Sequence, residues 1–210
     1  MRCIAVYGAS GFGREVMPLV RLQHGDRDTA IVFVDDGVAG SEQVLSFDAF
    51  LARPEPQKQA VIAIANSAVR EKLATRCAEN GVEIIDVRAS NACSLDNVEI
   101  GDGSILCGFT HLTSDVRIGR HFHANIYAYV AHDCVIGDYV TFAPGVKCNG
   151  NVHIDDHAYI GTGAILKQGM PDKPLKIGRG AVIGMGAVVT KDVAPGETVI
   201  GNPARPMQPR

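Results

Sequence analysis

A period of six residues dominates the second half of the chain and constrains its fold more than any other feature. Every sixth position from Ile100 to Leu166 is apolar or small, and a second set of mostly small or β-branched residues lies two positions before each of them. An α-helix repeats every 3.6 residues and a flat strand every two, so neither explains this pattern. A six-residue repeat is typical of a parallel β-helix with one short strand and one turn per repeat. We therefore predict a β-helix whose repeated aliphatic side chains point inward.

The repeat is interrupted at "KQGMPDKPLK" and resumes one residue out of phase at Ile177, Ile183 and Val189. The proline and glycine residues of this stretch predict a loop that projects from the β-helix. The C-terminal "VIGNPARPMQPR" leaves the pattern and is predicted to cap the last coil.

Residues 1–88 follow a different pattern, in which apolar runs alternate with helix-like stretches. "CIAVYG", "AIVFVDD", "QAVIAIAN" and "VEIIDV" are predicted to be strands, and "GREVMPLVRLQ" and "SAVREKLATRCAEN" to be helices. Strands that alternate with helices indicate a parallel, Rossmann-like α/β sheet. We predict two domains: an α/β domain at 1–88 and a β-helix at 89–210.

Composition and charge exclude several classes of protein. The formal net charge is −3 and no basic block occurs, which argues against a nucleic-acid partner. No targeting signal and no apolar run long enough to span a membrane are evident, so we expect a cytoplasmic protein. The six cysteines form no CxxC pair, and their spacing suits neither a zinc site nor a disulfide framework.

The glycine-rich segment "GASGFG" follows a predicted strand and precedes a predicted helix. Gly8, Gly11 and Gly13 would let backbone amides reach a phosphate group at the helix N-terminus. The order GxxGxG differs from the dinucleotide pattern GxGxxG, which makes NAD the weaker interpretation. Asp35 and Asp36 end the second strand, where an acid can bind ribose hydroxyls or a base edge, although all these residues could equally be turn formers.

His132 and Asp133 are adjacent, and the repeat places His132 between two inward positions and therefore on the outside. The pair could be catalytic, or it could be two polar residues on the surface of a repetitive scaffold. His121 and His123 could be metal ligands, because two residues apart on one strand they would point the same way. No third ligand is evident beside them, so we expect no metal.

Taken together, "GASGFG", "VDD", "AIAN", "AHDCVIGD", "CNGN" and "IGNPAR" resemble the left-handed β-helix acyltransferases of bacterial surface-sugar synthesis. The chain is most similar to the branch with a small N-terminal nucleotide-sugar domain. That branch contains N-acetyltransferases acting on nucleotide-linked 4-amino-4,6-dideoxy sugars and sialic acid O-acetyltransferase-like proteins. The resemblance implies a homotrimer with acetyl-CoA bound between neighbouring β-helices.

The resemblance also implies roles for individual residues. His132 would be the general base, Asp133 would orient its ring, and the Gly150 N–H would face the thioester oxygen. Acetyl-CoA would contact Asn125, Gly150, Gly161 and Gly184. The nucleotide of the sugar substrate would contact Gly8, Ser10, Gly11, Gly13, Asp35, Asp36 and Asn66.

The predicted function is acetyl-CoA-dependent N-acetylation of a nucleotide-linked amino sugar. O-acetylation of a sugar hydroxyl is a close alternative. A metal-dependent hydratase like the γ-type carbonic anhydrases and a non-catalytic nucleotide-sugar binder are weaker ones. The nucleotide base stays open between UDP, GDP and dTDP, although "QGMPDKPLKIG" is similar to the loop of perosamine-acetylating members.

Overall fold

The computed structural model describes residues 1–38 and 44–207. Contacts divide the chain into two compact units, Met1–Arg88 and Ala89–Arg210.

The first unit is a parallel α/β sheet with strand order β3-β2-β1-β4-β5. Three helices accompany it, and its elements in chain order are β1 Arg2–Tyr7, α1 Gly11–His24, β2 Thr29–Val34, β3 Val44–Leu45, α2 Phe47–Leu51, β4 Gln57–Ile62, α3 Ser67–Glu79, β5 Glu83–Ile84 and β6 Val87–Arg88. The central strand β1 pairs in parallel with both β2 and β4, which confirms the Rossmann-like prediction. Residues of β1 from Cys3 onward are buried, as expected of a strand covered on both faces.

Most predicted elements of this unit are present, with three differences. The short elements β3 and α2 were not predicted, because lengths of two and five residues are too short to show a period. The stretch "VEIIDV" does not form one strand, because it contains the two-residue strand β5 and ends on the first residue of a separate strand, β6. Pro18 lies inside α1, which continues through it to His24.

The second unit is a left-handed parallel β-helix, as predicted. Its short strands are β7 Cys93–Ser94, β8 Val98–Ile100, β9 Ile105–Leu106, β10 His111–Leu112, β11 Val116–Ile118, β12 His123–Ala124, β13 Tyr129–Val130, β14 Val135–Ile136, β15 Thr141–Phe142, β16 Lys147–Cys148, β17 Val152–Ile154, β18 Tyr159–Ile160, β19 Ile165–Leu166, β20 Leu175–Ile177, β21 Val182–Ile183, β22 Val188–Val189, β23 Thr198–Ile200 and β24 Arg205–Pro206. Every third strand belongs to the same face, so one face runs β22-β19-β16-β13-β10-β7 and the next β20-β17-β14-β11-β8. Equivalent residues of successive coils are 18 positions apart. For example, the backbone N–H of Arg120 donates a hydrogen bond to Asp138 Oδ1 in the next coil.

The interruption of the repeat lies where the sequence predicts it. In β20, Ile177 pairs with Ile154 of β17, so this coil is longer than the 18-residue coils before it. The C-terminal segment differs from its prediction, because Val199 and Ile200 still belong to β23, which pairs in parallel with β21. The sheet then ends on β24, which runs antiparallel to β23.

The interior of the β-helix is a column of apolar side chains that includes the cysteines Cys134 and Cys148. All six cysteines are free thiols. Burial raises the pKa of the Cys77 thiol in the first unit to about 12, which keeps it protonated and unreactive.

The corners of the β-helix turn through residues with positive φ, spaced one coil apart. One corner carries Asn97, Asp115, Asp133 and Asn151 in this conformation. We call it the polar corner. Another carries His121, Tyr139 and His157, whose rings stack at centroid distances of 4.9 and 5.3 Å. We call it the ring corner.

The ring corner corrects the expectation for His121 and His123. His121 lies in a turn with φ of 55°, and β12 begins at His123, so the two residues do not share a strand. Over the described ranges, no group of three or more His, Cys, Asp or Glu side chains is arranged to hold a metal ion. Within the same ranges, no helix has both the length and the apolar character needed to cross a membrane.

Candidate active site

His132 and Asp133 lie at the polar corner, in the turn between β13 and β14. Val130 and Cys134 on either side are buried in the interior. The side chains of His132 and Asp133 are 49% and 53% exposed. The alternation of inward and outward positions therefore brings the imidazole to the surface, as the sequence pattern predicts.

The two side chains form a direct hydrogen bond. His132 Nδ1 lies 2.7 Å from Asp133 Oδ2, so the short aspartate side chain does reach the ring. Asp133 has a φ of 57°, a left-handed conformation that aspartate tolerates better than most residues. A carboxylate on Nδ1 selects the tautomer with its proton there and leaves Nε2 as a proton acceptor. Nε2 makes no hydrogen bond to the part of the chain that the structure describes.

The His132 ring packs against Gly150, which lies one coil further along the β-helix. A Cβ atom at position 150 would lie 2.5 Å from Cε1 and 2.6 Å from Nε2 of His132. Any larger residue would displace the ring, so the close approach requires glycine. Gly150 is a buried residue, and its N–H donates to no acceptor among the described residues. A backbone donor without a protein partner is a reason to look for a ligand that accepts from it.

Neighbouring contacts hold the two segments side by side. The Asn151 N–H donates to the His132 carbonyl at 3.0 Å, and the Gly169 N–H donates to the Gly150 carbonyl at 2.9 Å. The Asn149 side chain accepts from the Tyr129 hydroxyl at 2.8 Å and donates to the Leu166 carbonyl at 2.7 Å. Burial raises the pKa of Tyr129, which keeps its hydroxyl protonated as this donor.

Sequence reasoning missed Tyr129, Asn149 and Cys134 as supports of this site. The repeat contains a signal for one of them. Asn149 is 18 residues beyond Ala131, one coil period along the chain, and so stacks on the segment that carries His132. Their partners depend on side-chain conformation, which the period does not encode.

The remaining residues expected at acetyl-CoA lie on another part of the β-helix. Asn125, Gly161 and Gly184 directly follow β12, β18 and β21, which form a face without β13. A Cβ at Gly161 would lie 2.6 Å from the Ile183 carbonyl oxygen, and one at Gly184 would lie 2.6 Å from Ile200 Cγ2. Close packing between coils thus already explains both glycines. The structure does not bring these three residues to His132 within one chain.

In the first unit, the glycine-rich segment joins β1 to α1 through a close backbone contact. Gly8 has a φ of 113°, and a Cβ at Gly13 would overlap the Gly8 carbonyl oxygen. Gly11 is exposed, and a Cβ added there would meet no atom within 4 Å. Ser10 is the N-cap of α1 but makes no side-chain cap hydrogen bond, so its hydroxyl is available to a ligand. Asn66 instead uses its Oδ1 to cap α3, accepting from the Val69 N–H at 3.0 Å.

Asp35 and Asp36 are bound by groups of the same unit. Asp35 Oδ2 accepts from the Ala9 N–H at 3.0 Å, which ties the end of β2 to the glycine-rich segment. Asp36 accepts from the Phe47 N–H, the Tyr7 hydroxyl and Arg76, at 2.8, 2.7 and 2.6 Å respectively. Burial alone would raise the pKa of Asp36, but these hydrogen bonds and the Arg76 charge outweigh it and lower the pKa.

Comparison with known proteins supplies the family. Residues 3–77 match the PglD N-terminal domain, and residues 115–150 match the six-repeat bacterial transferase hexapeptide model. The chain is 50% identical to the GDP-perosamine N-acetyltransferase of Escherichia coli O157:H7, over 99% of this chain and 97% of that protein.

Two solved structures share the whole fold. WeeI from Acinetobacter baumannii AYE is 60% identical, with a TM-score of 0.97 over 99% of this chain and 100% of that one. The acetyltransferase domain of PglB from Neisseria gonorrhoeae FA1090, in complex with acetyl coenzyme A, is 29% identical. Its TM-score is 0.84 over 98% of this chain and 99% of that one.

These matches confirm the predicted resemblance, the fold class and the enzyme class. The relative from Escherichia coli covers both units, so the likeness is not confined to the widespread hexapeptide repeat. The chain therefore belongs to the family of acetyl-CoA-dependent sugar N-acetyltransferases that combine a PglD-type N-terminal domain with a left-handed hexapeptide β-helix.

Proposed function

We propose that this protein transfers the acetyl group of acetyl-CoA to the amino group of a nucleotide-linked 4-amino-4,6-dideoxy sugar, with GDP-perosamine as the first candidate. The name of the 50% identical relative supports this substrate. The single observation that carries the chemistry is the His132 ring, hydrogen-bonded to Asp133 on one side and packed against Gly150 on the other.

The geometry supports general-base catalysis by His132. The sugar amine attacks the thioester carbonyl carbon, and the unprotonated Nε2 of His132 takes a proton from the attacking nitrogen. Asp133 stabilises the imidazolium that forms and holds the ring in place. When the tetrahedral intermediate collapses, the C–S bond breaks and the departing CoA sulfur takes the proton back from His132.

The Gly150 N–H is the proposed donor to the oxyanion of that intermediate. It is a backbone group fixed by its neighbours, so it needs no rearrangement as negative charge develops. One such donor contributes about 10²–10³ in rate in other acyl-transfer enzymes. Because a proton acceptor and an oxyanion donor adjoin at one corner, an acyl-transfer mechanism fits this site better than binding alone.

The first unit is proposed to bind the nucleotide of the sugar substrate. Its available groups are the Ser10 hydroxyl and the backbone amides around Gly11 and Gly13 at the N-terminus of α1, where a phosphate is favoured. The carboxylates of Asp35 and Asp36 shape the segment beside these groups through their hydrogen bonds. Asn66 contributes by fixing the start of α3.

We propose a homotrimer, and the placement of the acetyl-CoA residues supports a site shared between copies. Asn125, Gly161 and Gly184 lie on a different face from His132. If both sets contact one acetyl-CoA molecule, the second set must come from a neighbouring copy. We further propose that the enzyme acts in the cytoplasm, where acetyl-CoA is available. If light scattering showed a monomer and this monomer had full acetyltransferase activity, the shared site would be contradicted.

The substrate proposal is tested by a turnover assay with acetyl-CoA and GDP-, UDP- and dTDP-linked 4-amino sugars. We expect release of the CoA thiol together with an acetylated product of the GDP-linked sugar. The product should resist mild alkali, since an amide does and an ester does not. The His132→Ala variant is the control for acetyl transfer without the enzyme base. An alkali-labile product, or no product with any amino sugar, would contradict the proposal.

A further inference from the structure

The carbonyl group of Asn149 points into the β-helix. Its oxygen lies 3.2 Å from Cys134 Sγ and 3.8 Å from Cys148 Sγ. Both cysteines are fully buried members of the interior column. The carbonyl therefore faces two thiols and not the solvent.

This orientation fixes the direction of the Gly150 N–H. Among the described residues the one cis peptide bond is Asn202–Pro203, so the Asn149–Gly150 peptide is trans. In a planar trans peptide the C=O and N–H bonds point in opposite directions. With the Asn149 carbonyl turned inward, the Gly150 N–H is turned outward, and the His132 ring packs against the same residue.

Cys134 is the residue best placed to maintain this arrangement. Besides Asn149, its sulfur lies 3.6 Å from the His132 carbonyl oxygen and 3.9 Å from Cys148 Sγ. The pKa of the Cys148 thiol is raised well above its usual value by its hydrogen bond to Cys134 and by burial. Cys148 therefore keeps its proton, and either sulfur could donate in the contact between the two thiols. The acceptor closest to the Cys134 sulfur is the Asn149 carbonyl, at 3.2 Å.

We propose that Cys134 is a positioning residue: its thiol donates to the Asn149 carbonyl and so holds the Gly150 N–H outward, toward the oxyanion. The catalytic consequence rests on the proposed function, whereas the orientation of the peptide does not. One buried thiol thus contacts the backbone of both segments that form the site, the His132 turn and the Asn149–Gly150 turn.

The neighbours of Cys134 in the interior suggest a decisive pair of substitutions. Val116 and Val152 occupy the equivalent positions one coil before and one coil after it, and both are buried. Cys134→Val should therefore fit the column while removing the donor. Cys134→Ser keeps a donor but buries a hydroxyl in an apolar interior, which costs stability.

The two variants should rank in opposite orders for activity and stability. We expect Cys134→Val to melt near the wild type but to lose about 3- to 10-fold in kcat, the effect of a weak hydrogen bond on the rate. We expect Cys134→Ser to melt lower and to retain most of its kcat. The KM values for both substrates should not change, because the thiol touches neither. Val116→Ser buries a hydroxyl at the equivalent position one coil away, so it controls for the effect of the hydroxyl itself on stability and kcat.

A purely structural role for Cys134 predicts the reverse result. In that case Cys134→Val would turn over at the wild-type rate, and kcat would fall only in Cys134→Ser, as much as in Val116→Ser. Either finding would overturn the inference.

A crystal structure of Cys134→Val tests the orientation without any assay. We expect the Asn149–Gly150 peptide to rotate or to occupy two orientations. A single orientation identical to that of the wild type would overturn the inference. If the wild type transferred no acetyl group to any amino sugar, the proposed function would fail while this structural test kept its meaning.

Discussion

Two corners of the β-helix use the same backbone turn in opposite ways. At the ring corner, His121, Tyr139 and His157 have positive φ and stack their rings in a column, with His121 and Tyr139 buried. At the polar corner, Asp133 has the same backbone conformation but holds the exposed ring of His132. The ring corner covers itself, whereas the polar corner leaves an imidazole nitrogen and a backbone N–H available.

This difference teaches that the hexapeptide fold supplies positions and not chemistry. Both corners follow from the same 18-residue coil, so their backbone cannot distinguish a catalytic turn from a structural one. The side chains and the hydrogen bonds behind them make the distinction. Substitutions at the polar corner should therefore change activity more than stability, and substitutions at the ring corner should do the reverse.

The largest expected effect is that of His132→Ala. We expect kcat to fall by about 10²–10⁴, the usual contribution of a positioned general base, with little change in melting temperature because the side chain is exposed. His157→Ala at the ring corner is the matched control and should lower the melting temperature while leaving kcat intact. Steady-state kinetics and melting curves of both variants measure this, and a wild-type rate for His132→Ala would mean that the pair has no part in catalysis.

The next effect is expected for Gly150→Ala. The new Cβ would lie 2.5 Å from His132 Cε1, so the ring must move away from its present contact. We expect kcat to fall by about 10²–10³, comparable to the loss of an oxyanion donor. Gly180→Ala is the control, because Gly180 has positive φ and open space around a Cβ, in the column of the ring corner. It should cost roughly 1 kcal/mol of stability without loss of kcat, and equal kinetic losses in both variants would contradict the distinction between the corners.

The ring corner itself is tested by Tyr139→Asn. Asparagine tolerates the positive φ of this position, so the substitution removes the two ring contacts without straining the turn. We expect a loss of about 1–3 kcal/mol in stability from the two stacked pairs, with kcat unchanged. Chemical denaturation and kinetics of the same preparation would show it, and a fall in kcat with unchanged stability would reverse the roles of the two corners.

The smallest effect concerns Asp36 in the first unit, a carboxylate that accepts hydrogen bonds from Tyr7, Phe47 and Arg76. Its folded-state pKa is lowered, so its stabilising contribution is present above the unfolded value of about 3.9 and is lost as the pH falls through the folded pKa. Asp36→Asn should therefore destabilise the first unit at neutral pH, and the difference from the wild type should shrink below about pH 4. Melting curves across this range measure the difference, and a gap that widens in acid would contradict the sign.

Sequence reasoning succeeded where a period or a motif was long enough to be read. The hexapeptide pattern from Ile100 to Leu166 predicts the coils, and the loss of phase at "KQGMPDKPLK" predicts the loop that precedes β20. It failed for β3 and α2, whose lengths of two and five residues carry no period. It also placed His121 on a strand, because the repeat alone does not say which of the six positions forms the turn.

The sequence by itself determined which residues of the β-helix face inward, because an aliphatic side chain that recurs every six residues is buried once in each repeat. It thereby placed His132 outside, between Val130 and Cys134. Only the tertiary structure decided that the ring of His132 rests on Gly150 and that the Cys134 thiol meets the Asn149 carbonyl. These contacts join residues of successive coils over a few ångströms. Distances this short depend on side-chain rotamers and peptide orientations, which the spacing of residues along the chain does not specify.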